Sequence, residues 1–147
     1  MSNITGSSKI EILKEYFRSV DTGNFPSHLF ADGFQFYFPK YGIGHGAAEF
    51  LELAVGAATA VAGITHHIDD FLFIEKGNLI VVEGTSEGRD HDGAEWHGGR
   101  TPGGRFCSIF AFNDAGQIAR MHVYLDPDYL GKHEARFLWP GRQQQKW

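Results

Sequence analysis

Two adjacent histidines, His66 and His67, carry the side chains of this sequence best matched to moving a proton near neutral pH. They begin a stretch of alternating polarity, so on a strand one of them faces inward and the other outward. The pattern leaves open which faces inward, and whether either does more than bond to backbone or solvent. Tyr16 stands beside an apolar helical stripe. Its ring can pack there while its hydroxyl either reaches a cavity or makes a purely structural bond. Together with Ser108 it would supply two hydrogen-bond donors for a carbonyl or hydroxyl group.

His91, Asp92, Glu95 and His97 are metal-ligand types in one glycine-rich segment, but they lack a tight spacing such as His-Glu-x-x-His. They are expected to be solvated loop residues, or, for His97 with Arg100 or Arg105, guards of a cavity mouth. No metal and no cofactor is expected. Gly42, Gly44 and Gly46 precede a helix without a Walker or dinucleotide pattern and read as turn glycines. Cys107 has no base adjacent in sequence and reads as a small strand hydrophobe.

The elements that must position these groups follow from periodicity. Ile10, Leu13, Phe17 and Val20 recur at helical spacing after Ser8 and Glu11, which can form a capping box. Asp21-Thr-Gly-Asn24 ends that helix, and Asn24 before Phe25-Pro26 can cap a short second one. Phe34, Phe36 and Phe38 alternate on a strand that Pro39 ends. A third helix is expected over Ala47 to Ala62, turning Phe50, Leu51, Ala54, Ala58 and Val61 inward. Two hairpins follow: His66 to Glu75 with Leu79 to Arg89 across Lys76-Gly-Asn78, and Arg105 to Phe112 with Gln117 to Asp126 across Asn113-Asp-Ala-Gly116. Between them runs a long polar loop, Arg89 to Gly104, of a length that is often functional.

The chain has 147 residues, enough for a single domain that buries roughly 70% of its unfolded surface. Residues 1-147 therefore read as one domain, with 127-147 as a C-terminal tail. A net charge of -5 argues against nucleic acid as a partner, although Lys132, Arg136, Arg142 and Lys146 make the tail locally basic. One cysteine and a start without a basic, apolar leader fit a cytoplasmic protein, and no apolar run approaches the ~20 residues that span a bilayer.

The order helix, short helix, strand, helix and four-strand meander resembles the nuclear-transport-factor-2-like (NTF2-like) superfamily of ketosteroid isomerases, SnoaL-type polyketide cyclases, scytalone dehydratases and limonene epoxide hydrolases. The resemblance spans Ile10 to Asp126. It rests on Asp21-Thr-Gly-Asn24, on Leu29-Phe-Ala-Asp32 before a strand, on the glycine-rich entry to the third helix, and on Tyr124-Leu-Asp126 closing the last strand. It implies an α+β fold, a cone-shaped curved antiparallel sheet packed against three N-terminal helices around an apolar cavity.

Family roles carry over only in part. Tyr16 matches the oxyanion-donating tyrosine of ketosteroid isomerases, while Phe38 stands where their general base would be and Ser108 where their protonated aspartic acid would be. Val123 replaces the last-strand aspartate of the cyclases and epoxide hydrolases, and Gly84 and Ser86 replace the epoxide hydrolases' Arg and Asp. In the family register Phe36, Phe38, Phe110, Met121, Val123 and Leu125 line the ligand cavity with Ser108 and Phe112. His122, Tyr124 and Asp126 point to the outer face, which implies a homodimer. The expected activity is cofactor-free isomerisation, dehydration or cyclisation of a small, mostly apolar molecule, with Tyr16 and Ser108 as donors and His67 as base. The alternative is a noncatalytic ligand-binding or dimerisation module.

Overall fold

A computed structural model describes residues 7–133. Helix α1 (Ser8–Asp21) is capped one residue earlier than expected: the Ser7 hydroxyl accepts from the Ile10 N–H at 3.3 Å. Glu11 pairs with Lys14 at 3.6 Å and does not close a capping box. Leu13 and Phe17 are buried and Ile10 and Val20 pack against the same core, so the helical stripe is as the spacing predicts. The expected second helix is a single 3-10 turn, Ser27–Leu29, and Asn24 bonds back to the Thr22 hydroxyl without capping it.

Strands β1 (Phe30–Phe38) and β2 (Gly42–His45) form the first hairpin and lead into α2 (Gly46–Ala58). β3 (Gly63–His66) and β4 (Leu72–Lys76), separated by a 3-10 turn at Ile68–Asp70, both pair with β5 (Leu79–Arg89). The expected polar loop contains a further short strand, β6 (Glu95–His97), which pairs with the end of β5. Among the described residues β7 (Arg105–Phe112) and β8 (Ile118–Leu125) complete a curved, unclosed sheet of 8 strands, six in the order β2-β1-β8-β7-β5-β3 with β4 and β6 paired to β5 off that path. Both hairpin turns fall where the glycine and asparagine pairs predict.

The sheet differs from expectation in being mixed. β1 lies parallel to β8, with Phe36 beside Met121 and Tyr37 beside His122. Alternation in a sequence specifies which face a side chain takes, not which direction the neighbouring strand runs. Among the described residues there are two α-helices, one fewer than expected.

α2 is the second correction. It stops at Ala58, no residue in it is buried, and it turns Phe50 and Leu53 to the core, whereas Leu51 and Val55 are more than 60% exposed. Apart from Glu49 and Glu52 the segment is alanine-, leucine- and valine-rich, so apolar residues occur on more than one side and spacing selects a face poorly. No helix among the described residues is long and apolar enough to cross a membrane.

Alternation sets the two faces of the sheet. Phe36, Met121, Phe110 and Ile80 form one cross-strand row of fully buried side chains. α1 covers this face, with the Tyr16 and Phe17 rings edge-on to Phe110 at 5.9 and 6.2 Å. The opposite face carries His122, whose Nε2–H donates to Gln35 while Arg120 donates to its Nδ1. Burial and the Arg120 charge push this imidazole below its ordinary value and hold it neutral. Of the predicted tail, residues 127–133 are described: Tyr129 packs on Trp96 at 4.6 Å, and its carbonyl lies against Gly103. Arg136, Arg142 and Lys146 lie outside the described residues.

Gly44 faces Phe36 across the first hairpin, and a Cβ there would collide with that fully buried ring. Gly44→Ala is expected to cost about 1–3 kcal/mol by overpacking, read as a lower urea midpoint at unchanged slope. An unchanged midpoint would contradict the β1–β2 register.

Candidate acid–base site at the wide end of the cone

Along the inner face beyond the fully buried row, burial falls on β1 and β8 but not on β7. One pleat beyond the fully buried row lie Phe38, Val123 and Ser108, and the next row holds Leu125, Phe106 and Gly84. Phe38, Val123 and Leu125 are half-buried, whereas Phe36, Phe110 and Met121 are closed off in the core. The six side chains expected to line a ligand cavity thus share one face but fall into two groups. At Gly84 the Phe71 ring occupies the space a side chain would need, so no arginine of the epoxide-hydrolase kind fits this strand. The neighbouring Ser86 is buried and accepts from the Trp96 indole N–H at 3.3 Å.

Ser86 pairs with His66 across β5 and β3, which brings His66 to this inner face. Its ring lies 4.9 Å from Phe17 and 5.4 Å from Phe106. Asp21, the last residue of α1, meets it with both carboxylate oxygens: Oδ2 accepts the His66 backbone N–H at 2.8 Å, and Oδ1 lies 2.5 Å from Nδ1. A carboxylate can only accept, so Nδ1 carries the proton and Nε2 is left as the basic nitrogen. Carboxylate, imidazole and free Nε2 form the orienter and base of a general-base pair. Both side chains are largely shielded, at 11% and 14% exposure. They border an open cleft of about 460 Å³, whose other lining residues include Arg18, Thr65, Ile68 and Asp70.

His67 points the other way. Its Nδ1 lies 2.7 Å from the Thr85 hydroxyl and its Nε2 3.4 Å from Glu87, on the outer face. The histidine beside the aromatic interior is therefore His66, and His67 does not share that interior with Tyr16 and Ser108. The reason is strand parity: His66 sits opposite Ser86, an inward position, and the next residue faces outward.

Tyr16 and Ser108 are both on the inner side, 7% and 1% exposed. Among the described residues neither hydroxyl has a side-chain hydrogen bond, and neither residue lines the cleft beside His66. Burial raises the Tyr16 phenol far above its ordinary value, and the Asp21 charge adds to the effect, so it stays protonated at any physiological pH. Cys107 is half-buried on the outer face, where burial and then the Glu83 charge push its thiol up and away from nucleophilic chemistry.

The histidines of the long loop disperse. His91 bonds to the Ala58 carbonyl at 2.6 Å, whereas His97, on β6, joins Glu87 at 2.9 Å and stacks beside His67 at 5.0 Å between ring centres. Sequence reasoning missed Asp21 and Glu87. Asp21 did carry a signal: a carboxylate at the negative end of a helix is unfavourable unless a partner is supplied from elsewhere in the fold.

No protein-family model and no curated protein matches the chain. Solved structures do. An NTF2-like protein of unknown function from Burkholderia pseudomallei K96243 is 19% identical, with a TM-score of 0.69 over 82% of this chain and 92% of that one. TerC, co-crystallised with polyporic acid, is 21% identical, with a TM-score of 0.69 over 87% and 97%. A candidate polyketide cyclase from Xanthomonas campestris pv. campestris is 14% identical, with a TM-score of 0.68 over 80% and 90%. The chain has the NTF2-like α+β cone fold expected from its sequence.

Proposed function

We propose that this is a SnoaL-like protein that binds a small, mostly apolar molecule at the wide end of the cone and catalyses cofactor-free proton transfer of the isomerase, dehydratase or cyclase type. The observation that carries this reading is the Asp21–His66 pair, which aims a tautomer-fixed imidazole from the rim of an aromatic interior. His66 takes the role of general base that the sequence assigns to His67. Tyr16 and Ser108 act as neutral donors toward a carbonyl or enolate oxygen, and Phe38, Val123 and Leu125 offer half-buried apolar contact. The resemblance to cyclase-type folds supports this reading.

A noncatalytic binding module is the second reading, favoured by phenylalanine and valine at Phe38 and Val123, where related enzymes carry acids. The two are separated with defined probes. Polyporic acid, found with TerC, serves as the binding probe, and hydrogen–deuterium exchange α to the carbonyl of 2-tetralone reports proton transfer. The enzyme reading predicts exchange above buffer that falls about 10²-fold or more in His66→Gln and by about 10²-fold in Tyr16→Phe. Probe binding without exchange selects the second reading. Exchange indifferent to both substitutions would overturn the site assignment.

The outer face supports self-association, as the resemblance implies. Leu72, Ile74, Leu79 and Tyr124 are exposed there around Val81, Ile109 and Ala111, an apolar surface of the kind that marks interfaces. Sedimentation equilibrium is expected to give a dimer that Ile74→Asp converts to monomer. A monomeric wild-type chain would refute it.

A further inference from the structure

The outer side of the β3–β5–β6 junction holds a second cluster, one member of which, His67, also borders the cleft beside Asp21 and His66. Among the described residues, His67, Glu87 and His97 each offer a ligand atom within 4.8 Å of the others. Glu87 and His97 are directly opposed across β5 and β6, and His67 is tied to the same strand by its N–H to the Thr85 carbonyl at 2.9 Å. His97 is further fixed from both sides of its backbone: its N–H donates to the Thr101 hydroxyl at 2.9 Å, and its carbonyl accepts from the Arg100 and Thr101 N–H groups. The backbone thus sets the cluster before any ligand arrives.

The ring orientations narrow what it binds. His97 Nδ1 lies 3.1 Å from the Gly98 carbonyl, which can only accept, so Nδ1 carries the proton and Nε2 presents a lone pair. That lone pair sits 2.9 Å from Glu87 Oε2, another acceptor, and the same oxygen is 3.4 Å from His67 Nε2. The Thr85 hydroxyl beside His67 Nδ1 can accept from it, which leaves His67 Nε2 a lone pair as well, and among the described residues no Lys or Arg forms a salt bridge with Glu87. A positive centre among these acceptors resolves the conflict. A tetrahedral ion with bonds of about 2.0–2.1 Å sets its ligand atoms roughly 3.3 Å apart, against 2.9 and 3.4 Å from Glu87 to the two histidines and no more than 4.8 Å within the set. The bonds from both Nδ1 atoms, to Gly98 and to Thr85, are the outer-shell contacts that orient metal-binding imidazoles.

We propose that His67 Nε2, His97 Nε2 and the Glu87 carboxylate form a binding site for one divalent transition-metal ion, Zn²⁺ or a similar ion. Two histidines and one carboxylate leave further coordination positions open to water or a small oxygen ligand. The side chains are 20%, 38% and 46% exposed for His67, His97 and Glu87, so the ion reaches the site from solvent. Because the site lies on the face opposite Tyr16 and Ser108, the inference is independent of the proposed proton-transfer chemistry.

The test uses the full chain without an affinity tag, stripped of metal, titrated with Zn²⁺ by calorimetry and with Co²⁺ by visible absorption. One ion per chain is expected, with a Co²⁺ spectrum of low coordination number. His97→Gln and Glu87→Gln should each weaken binding by about 10-fold or more and Thr85→Ala by about 10-fold. His28→Gln, at a surface His28–Glu15 pair, should bind like the wild type. Circular dichroism of the metal-free variants checks that they are folded. No stoichiometric uptake, or affinity unchanged in both His97→Gln and Glu87→Gln, would overturn the proposal, as would equal weakening by His28→Gln.

Discussion

The carboxylate of Asp21 closes α1 onto β3, and the placement of His66 depends on that clasp. A carboxylate at a helix C-terminus faces the negative end of the helix dipole, so it is stable there only when the fold brings it donors. His66 brings two, its backbone N–H and its ring Nδ1–H. Hydrogen bonds to a charged group are worth about 1.5–3 kcal/mol each when shielded, enough to fix both the helix end and the imidazole orientation. The same contact that anchors the helix also determines which ring nitrogen is free.

Strand parity then divides the chemistry between two faces. His66 looks inward to Phe17 and Phe106, while His67, one residue on, looks outward to Thr85 and Glu87. β5 serves both faces: its inward positions Ile80, Val82 and Ser86 are buried, and Thr85 and Glu87 on the other side meet the histidines of the outer cluster. A one-residue slip of β3 would exchange the two histidines and dissolve both sites.

Much of this was legible in the sequence because it rests on local period. The alternation through Ser108, Phe110 and Phe112, and through Met121, Val123 and Leu125, puts these side chains on one face, where Phe110 pairs with Met121 and Ser108 with Val123. Both hairpin turns were equally local. What escaped was nonlocal or weakly patterned: α2 has apolar residues on more than one side, β6 is three residues long, and the parallel β1–β8 contact joins segments far apart in the chain. The site divides the same way. Tyr16 lies beside the helical stripe and Ser108 on the inner face that the family register implies, but Asp21 meets His66 across 45 positions, a partnership no local spacing can announce.

The claim that Asp21 fixes His66 as an Nε2 base is tested most directly by nitrogen-15 NMR of histidine-labelled protein. The account predicts that neutral His66 is the Nδ1–H tautomer, with a slowly exchanging Nδ1 proton that disappears in Asp21→Asn. An Nε2–H tautomer in the wild type, or a His66 signal unaltered by Asp21→Asn, would contradict it.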